Sequence, residues 1–340
     1  MASTPSFRYL IVVGTSAGGL PALARLVASL PATLPAAVLV VQHLAPDSSG
    51  AHIVQRLGQH TTLRCQLATD QMLIEAGHLY LAPADCHLLV QGQVLLVTKG
   101  PRENNYRPAV DALFRSAAVH YGAAVIGVVL TSMLHDGTAG LDFIKRCGGQ
   151  AVVQDPQDAD FPSMPETALR NVAIDYVTPL AQLGNLLQEL TRTAPVAPTP
   201  IPEDLKTEAA IAERVVGTMS EIEPLGTRVP FTCPDCGGSL WKLDQGSVLR
   251  FRCHTGHAFT AEALLDFSRH GLEETLWVAL RMMEERKVLL STMAARDPER
   301  PAAGAPGGNQ APHQPPARVH AQRGQRPEQL RRRIGRVAVG

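Results

Sequence analysis

Tyr9-Leu10-Ile11-Val12-Val13-Gly14-Thr15-Ser16-Ala17-Gly18-Gly19 decides the reading of this chain. An apolar β-branched run passes without interruption into Gly-x-Ser-x-Gly, the order that exposes a serine hydroxyl on a tight strand-to-helix turn. A serine placed there needs a base to take its proton and donors for the oxyanion that develops on attack. The glycines permit the sharp turn, and N–H groups at the start of the following helix supply donors. A base and its partner stand at two other strand ends. His43 follows Val40-Val41-Gln42, and Asp136 follows Val128-Val129-Leu130 by a short loop. In an open parallel sheet, groups just beyond strand C-termini converge on one edge. Ser16, His43 and Asp136 are therefore expected to form a nucleophile–base–orienter set, with Asp136 fixing the tautomer of His43. The plainer reading, a phosphate-binding turn, lacks the middle glycine of G-x-G-x-x-G and a P-loop lysine.

Further along, short β-branched runs alternate with helical patterns up to about residue 190. Strands are expected at Tyr9–Val13, Ala37–Gln42, Ala124–Leu130, Ala151–Gln154 and Ala173–Val177. Helices are expected at Leu20–Leu30, Ile53–Gln59, Ala109–His120, Gly140–Arg146 and Leu180–Leu190. Near-continuous apolar strands separated by helices imply an α/β fold, a doubly wound, mostly parallel sheet covered on both faces. His87–Val90 and Val94–Thr98 read as an inserted hairpin. The expected division is a domain over 1–192, a Pro-rich linker over 193–202, a small metal-binding and helical module over 203–296, and a tail over 297–340. The tail holds seven arginines against one acid between Arg318 and Arg336, so it is expected to be disordered.

The 31 basic and 31 acidic residues balance over 340 positions, so no overall field calls for nucleic acid or membrane. No apolar run reaches the roughly 18 residues of a membrane span. The first residues lack a basic start and an apolar signal core, which points to the cytoplasm. Three of the six cysteines cluster as Cys233, Cys236 and Cys253, a C-x2-C knuckle followed by a returning segment. With His257 they make a closed Cys3His set, the pattern of structural zinc; His254 is the alternative fourth ligand. Ala261 to Ala295 carries apolar residues at helical spacing, including Leu264, Leu272, Leu276 and Val288, with Gly271 as a break into two helices. This run reads as a cover for the ribbon or as a docking surface for a signalling partner.

Taken together, Gly14–Gly19, Val41–Pro46, Leu79–Asp85, Tyr106–Phe114, Val128–Gly140 and Ser163–Ala168 resemble the catalytic domain of chemotaxis protein-glutamate methylesterases, in the family's order. The resemblance implies Ser16 as nucleophile, His43 as base and Asp136 as orienter, with oxyanion donors at Ala17 and near Met133. It implies hydrolysis of methylated glutamate side chains on receptor helices, deamidation of receptor glutamine, and no catalytic cofactor. Arg107 and Ser163-Met164-Pro165 resemble segments bordering the cleft. Arg107 is a candidate contact for an acidic receptor helix, with a solvated residue as the plain alternative. The family's better-known members carry a receiver domain ahead of the catalytic one. Here the first strand begins at Tyr9, so control by such an attached domain is not expected. Two rival readings stand beside this one. A non-catalytic receptor-binding scaffold would use the same surfaces. The Gly-Thr-Ser-Ala-Gly stretch also resembles the nucleophile motif of patatin-like lipases, but these place a glycine-rich segment before the serine, and Met1 to Val13 holds no glycine.

Overall fold

The computed structural model describes residues 7–133, 135–196, 199–214 and 217–296. The disorder expected of the Arg-rich tail falls outside these residues. In chain order the first part runs β1 (Tyr9–Thr15), α1 (Gly19–Ala28), β2 (Ala36–Gln42), α2 (Ala51–Gly58), β3 (Arg64–Leu67), β4 (His78–Leu81), β5 (His87–Gln91) and β6 (Val94–Thr98). It continues through α3 (Val110–Tyr121), β7 (Val125–Val129), α4 (Thr138–Arg146), β8 (Gln150–Gln154), α5 (Ser163–Asn171), β9 (Tyr176–Thr178) and α6 (Leu180–Arg192).

Seven strands form one sheet in the order β3-β4-β2-β1-β7-β8-β9, and every pairing in it is parallel. The cause lies in strands whose residues are buried throughout, β1, β2 and β7 above all. Alternate side chains enter different cores, because successive residues of a strand point to opposite faces. Leu10, Val12, Leu39 and Val129 join Leu113, Phe114 and Leu141 of α3 and α4 on one side. Ile11, Val13, Val40 and Val128 join Leu23, Leu26, Leu57 and Leu183 of α1, α2 and α6 on the other. The helices after β1 and β7 thus cover opposite faces, and the topological switch point lies between these two strands. Gly14 lets α3 approach β1 closely: a Cβ there would lie 2.3 Å from Val110 Cγ1.

The inserted hairpin forms as β5–β6. Three expectations shift. The strand placed at Ala173–Val177 runs Tyr176–Thr178, because Asp175 is held at its edge by the Ala151 N–H on its carboxylate (2.7 Å) and by Lys145 (2.6 Å). The four-residue strands β3 and β4 were not anticipated, being too short for periodicity to show, nor was helix α5, whose first turn carries Pro165. Gly271 breaks nothing.

The chain continues through α7 (Glu203–Glu213), α8 (Met219–Ile222), β10 (Gly226–Thr232), β11 (Ser239–Leu243), β12 (Arg250–Cys253), β13 (Ala258–Thr260) and α9 (Ala261–Arg296). Strands β10 to β13 form an antiparallel sheet in sequence order, and the β11–β12 hairpin is the segment that returns the chain to complete the cysteine cluster. Helix α9 runs unbroken, since a glycine facing open space costs an interior helix turn only about 1 kcal/mol. Ala261 and Leu264 pack it against the ribbon core, while Leu265, Leu272 and Leu276 are exposed. Among the described residues no helix is long and apolar enough to cross a membrane.

The chain divides into two compact units, Met1–Leu276 and Trp277–Gly340. Within the first, the ribbon packs on the α/β part through five buried charges. Glu103 is paired with Arg115 of α3 and lies 3.4 Å from Arg252 of β12. Glu208 of α7 lies 2.8 Å from Arg250 and 3.4 Å from Arg252. Burial alone would push both carboxyls up; the surrounding guanidinium groups outweigh it and hold them below their ordinary value. The Pro-rich stretch runs along the same part of the fold. Thr199 donates to the Cys147 carbonyl, and Ile201 packs against the core.

Candidate active site

Ser16 and His43 stand side by side because their strands do. Thr15 and Gln42 are the last register partners of β1 and β2, and each residue is the next in its chain. The His43 N–H donates to the Thr15 carbonyl (3.1 Å), and Gln42 Nε2 donates to the Ser16 carbonyl (2.9 Å). Adjacent strands lie about 4.8 Å apart, so the two side chains start within reach of each other. On the other flank the Ser16 N–H donates to the Thr131 carbonyl (3.3 Å). The turn then needs Gly18, which adopts φ 71° as it caps α1.

The structure brings Asp136 to His43. His43 Nε2 lies 2.8 Å from Asp136 Oδ2, and the aspartate is wholly buried. The same carboxylate accepts four more hydrogen bonds: from the N–H of Val110 (2.6 Å), Asp111 (3.1 Å) and Gly137 (3.0 Å), and from Asn104 Nδ2 (3.1 Å). Burial would raise its pKa, but the His43 contact and the amides at the start of α3 dominate and hold it below the usual carboxylate range. An ionised carboxylate only accepts, so His43 Nε2 carries the proton and Nδ1 offers the lone pair. Among the described residues that Nδ1 is buried without a partner. The ring nitrogens thus exchange the roles they have in the common Ser-His-Asp arrangement, where Nδ1 faces the aspartate.

A second carboxylate lies behind the first. Asp111 accepts from the Gly140 N–H (2.6 Å) and from Asn104 Nδ2 (2.7 Å). Burial, then the Asp136 charge, raise its pKa well above the ordinary value. Two buried carboxyls sharing one amide do not both ionise readily, and Asp136, with more donors, keeps the charge.

Tyr106 stacks on His43 with ring centroids 4.3 Å apart and planes 15° from parallel, closing one side of the imidazole. Burial, followed by the Asp136 and Asp266 charges, pushes its hydroxyl pKa up. Arg107, the candidate receptor contact, is committed elsewhere. It is paired to Asp85 (2.6 Å), donates to the Gly100 carbonyl (2.9 Å), and is partly exposed. Ala17 is half-buried at the start of the turn; its carbonyl accepts from Thr131 Oγ1 (3.1 Å), and no hydrogen bond among the described residues takes its N–H. Met133 is exposed at the rim. The segment is stitched to the cleft border, where the Ser132 N–H donates to the Phe161 carbonyl and the Met164 N–H to the Ser132 carbonyl.

Gln42, Asn104, Tyr106, Asp111 and Thr131 were not singled out from sequence. Only Asn104-Asn105 carried a local signal, since asparagine tolerates the left-handed conformation both adopt (φ 50° and 71°).

The cysteine cluster forms as expected, with His257 rather than His254. One ligand atom each from Cys233, Cys236, Cys253 and His257 lie within 4.8 Å of one another. Cys236 Sγ is 3.8 Å from Cys253 Sγ, which is 3.5 Å from His257 Nδ1. A tetrahedral ion bonded to sulfur at about 2.3 Å and nitrogen at about 2.05 Å would set those edges at about 3.8 and 3.5 Å. The donor set and its spacing fit a metal ion. Asp235 Oδ2 lies 3.8 Å from His257 Nε2, beyond hydrogen-bond distance.

The fold and this geometry define a doubly wound α/β domain with a serine, a histidine and a buried aspartate at its switch point, joined to a Cys3His ribbon. A family profile described as CheB methylesterase matches residues 11–187, half of the chain, and the chain belongs to this family. A protein-glutamate methylesterase/protein-glutamine glutaminase 2 of Methanosarcina mazei is 36% identical over 195 residues, covering 55% of this chain and 53% of that protein. A putative protein of the same kind in Leptospira interrogans is 36% identical over 183 residues, covering 53% of this chain and 93% of that protein. The crystal structure of the Thermotoga maritima CheB methylesterase catalytic domain aligns with a TM-score of 0.53 at 32% identity. It covers 55% of this chain and all of that one. The chain spans about half the length of the Methanosarcina relatives it matches.

Proposed function

We propose that this protein is a serine hydrolase that removes methyl esters from glutamate side chains of chemotaxis-type receptors and deamidates receptor glutamine in the cytoplasm. The observation that carries the reading is the His43–Asp136 hydrogen bond beside Ser16 at the switch point. Ser16 Oγ attacks the ester carbonyl while His43 Nδ1 takes its proton, and buried Asp136 balances the imidazolium. The Ala17 N–H, with the Met133 segment, receives the oxyanion. Collapse returns the proton to the leaving oxygen and releases methanol. Water then repeats the sequence on the acyl-enzyme and leaves glutamate. An amide follows the same path with ammonia as leaving group. A Ser–Asp dyad of the lipase type is disfavoured, since the aspartate is spent on His43.

The domain division proposed is 1–192 for chemistry, 193–202 as connection and 203–296 as a module for structure and signalling contacts. Cys233, Cys236, Cys253 and His257 would hold zinc. Four protein ligands leave no open position, so the ion supports the fold and takes no part in bond breaking. Arg107, held by Asp85, positions its loop rather than the substrate.

Methanol release from a methylated receptor fragment by the full chain tests the chemistry. Ser16→Ala should lower it by roughly 10⁴-fold or more; undiminished release would remove the serine from the mechanism. For the ribbon, elemental analysis of purified protein should give about one zinc per chain, and Cys236→Ser should lose most of it.

A further inference from the structure

Asn104 occupies a junction that neither the triad nor the ribbon needs by itself. Its side chain is buried, and its backbone N–H donates to the Ala258 carbonyl of β13 (2.8 Å). Its Oδ1 accepts the Thr260 N–H (2.8 Å). A backbone N–H can only donate, so the amide orientation is fixed and Nδ2 must face the other way. There its two protons go to Asp111 Oδ2 (2.7 Å) and Asp136 Oδ1 (3.1 Å). One residue therefore ties the ribbon backbone to the carboxylate that holds His43.

The ribbon end of this link sits beside the metal cluster. His257 immediately precedes β13, and Ala258 both accepts from Asn104 and donates to the Arg102 carbonyl (3.4 Å). Glu103 and Ala258 form a parallel bridge, and Glu103 binds Arg115 on one side and Arg252 on the other. A second contact runs in parallel: His135, next to Asp136, lies 3.3 Å from Asp266 in the first turns of α9. Within Met1–Leu276 the path from His257 to His43 is thus continuous. It passes through Ala258 and Thr260, Asn104 and Asp136, with every step a backbone bond or a hydrogen bond.

We propose that Asn104 is a positioning residue that couples the metal-bearing ribbon to the Ser16–His43–Asp136 set, so that an intact ribbon is needed for turnover and not only for stability. The inference rests on the triad and metal readings above. If β13 loses its place when the ligands of His257's cluster are lost, Thr260 no longer holds the amide. Asn104 is then free to rotate away from Asp136, and His43 loses the alignment on which proton transfer depends. Activity becomes conditional on ribbon occupancy, a form of control carried within the chain.

The test is a cycle on the full chain, with methanol release as the rate and zinc content and thermal melting measured alongside. Asn104→Gly is the chosen variant, because glycine suits φ 50° and only the amide is removed. It should lower kcat about ten-fold or more while KM stays within about two-fold and zinc content is unchanged. Cys236→Ser should lower zinc content and kcat together. The double variant should be no slower than the slower single, since both changes cut the same link. If Cys236→Ser does not fold, chelator-stripped wild type takes its place, compared with stripped Asn104→Gly. A kcat within two-fold of wild type in Asn104→Gly, or penalties that multiply in the double variant, would overturn the coupling. Ser16→Ala separates the two failures. If it is inactive while Asn104→Gly is unimpaired, the triad stands and this inference falls; if it is active, the hydrolase reading itself is lost.

Discussion

Asp136→Asn is expected to lower kcat for methanol release by roughly 10³–10⁴-fold, with little change in KM and a folded protein. The argument begins with the donors around the carboxylate. Val110 and Asp111 at the start of α3, Gly137, and Asn104 all donate to Asp136, in addition to His43. Every approach is by a donor, so the site is built for an acceptor-only group. Asparagine brings two N–H donors of its own and one acceptor oxygen. If its oxygen keeps the amides of Asp111 and Gly137 at the Oδ1 position, its nitrogen sits at Oδ2, facing the Val110 N–H and His43 Nε2. Two donors would then meet, and the imidazole is driven to the tautomer with the proton on Nδ1. That proton occupies the lone pair proposed to deprotonate Ser16. A variant retaining more than a tenth of wild-type kcat would show that the tautomer is not set by Asp136.

Much of this arrangement could be read from the sequence, for definite reasons. Ser16, His43 and Asp136 lie next to strands whose burial is complete, and unbroken β-branched runs announce such strands without help from alternation. The parallel order then fixes which ends share an edge. The Cys3His cluster was legible because C-x2-C places two sulfurs by local geometry alone. The residues that went unseen are those whose role comes only from tertiary contact. Asn104 and Tyr106 lie in a loop of unremarkable polarity, and nothing local shows that one bridges two carboxylates while the other stacks on His43. Arg107 shows the same limit from the other side. A cation beside the cleft reads as a substrate contact, and its pairing with Asp85, 22 residues away, shows only in the fold. Gly271 failed as a helix break for an energetic reason, since a glycine with open space around it lowers a helix's stability without ending it.

Glu103 carries the largest expected effect on stability. Its carboxylate takes both guanidinium nitrogens of Arg115 and stands 3.4 Å from Arg252, with all three side chains at most 5% exposed. Together with Glu208 and Arg250 the group holds three cations and two anions, so removing one anion leaves buried positive charge without compensation. Glu103→Ala should destabilise the protein by about 3–5 kcal/mol, read from the urea midpoint at constant slope. Lys206→Ala, which removes a surface partner of Glu203, should cost about 1 kcal/mol or less. The loss should also depend on pH in a defined direction. Glu103 titrates below its ordinary value of 4.5 in the fold, so its contribution is full above that pH and fades as pH falls beneath it. The gap between wild type and Glu103→Ala should therefore be widest near neutrality and narrow below pH 4.5. The variant should show a shallower acid limb, because Glu208, also lowered by its arginine partners, still titrates in it. A gap that stays constant from pH 7 to 3 would mean that folding leaves the Glu103 pKa unchanged and that its arginine partners do not favour its charged form.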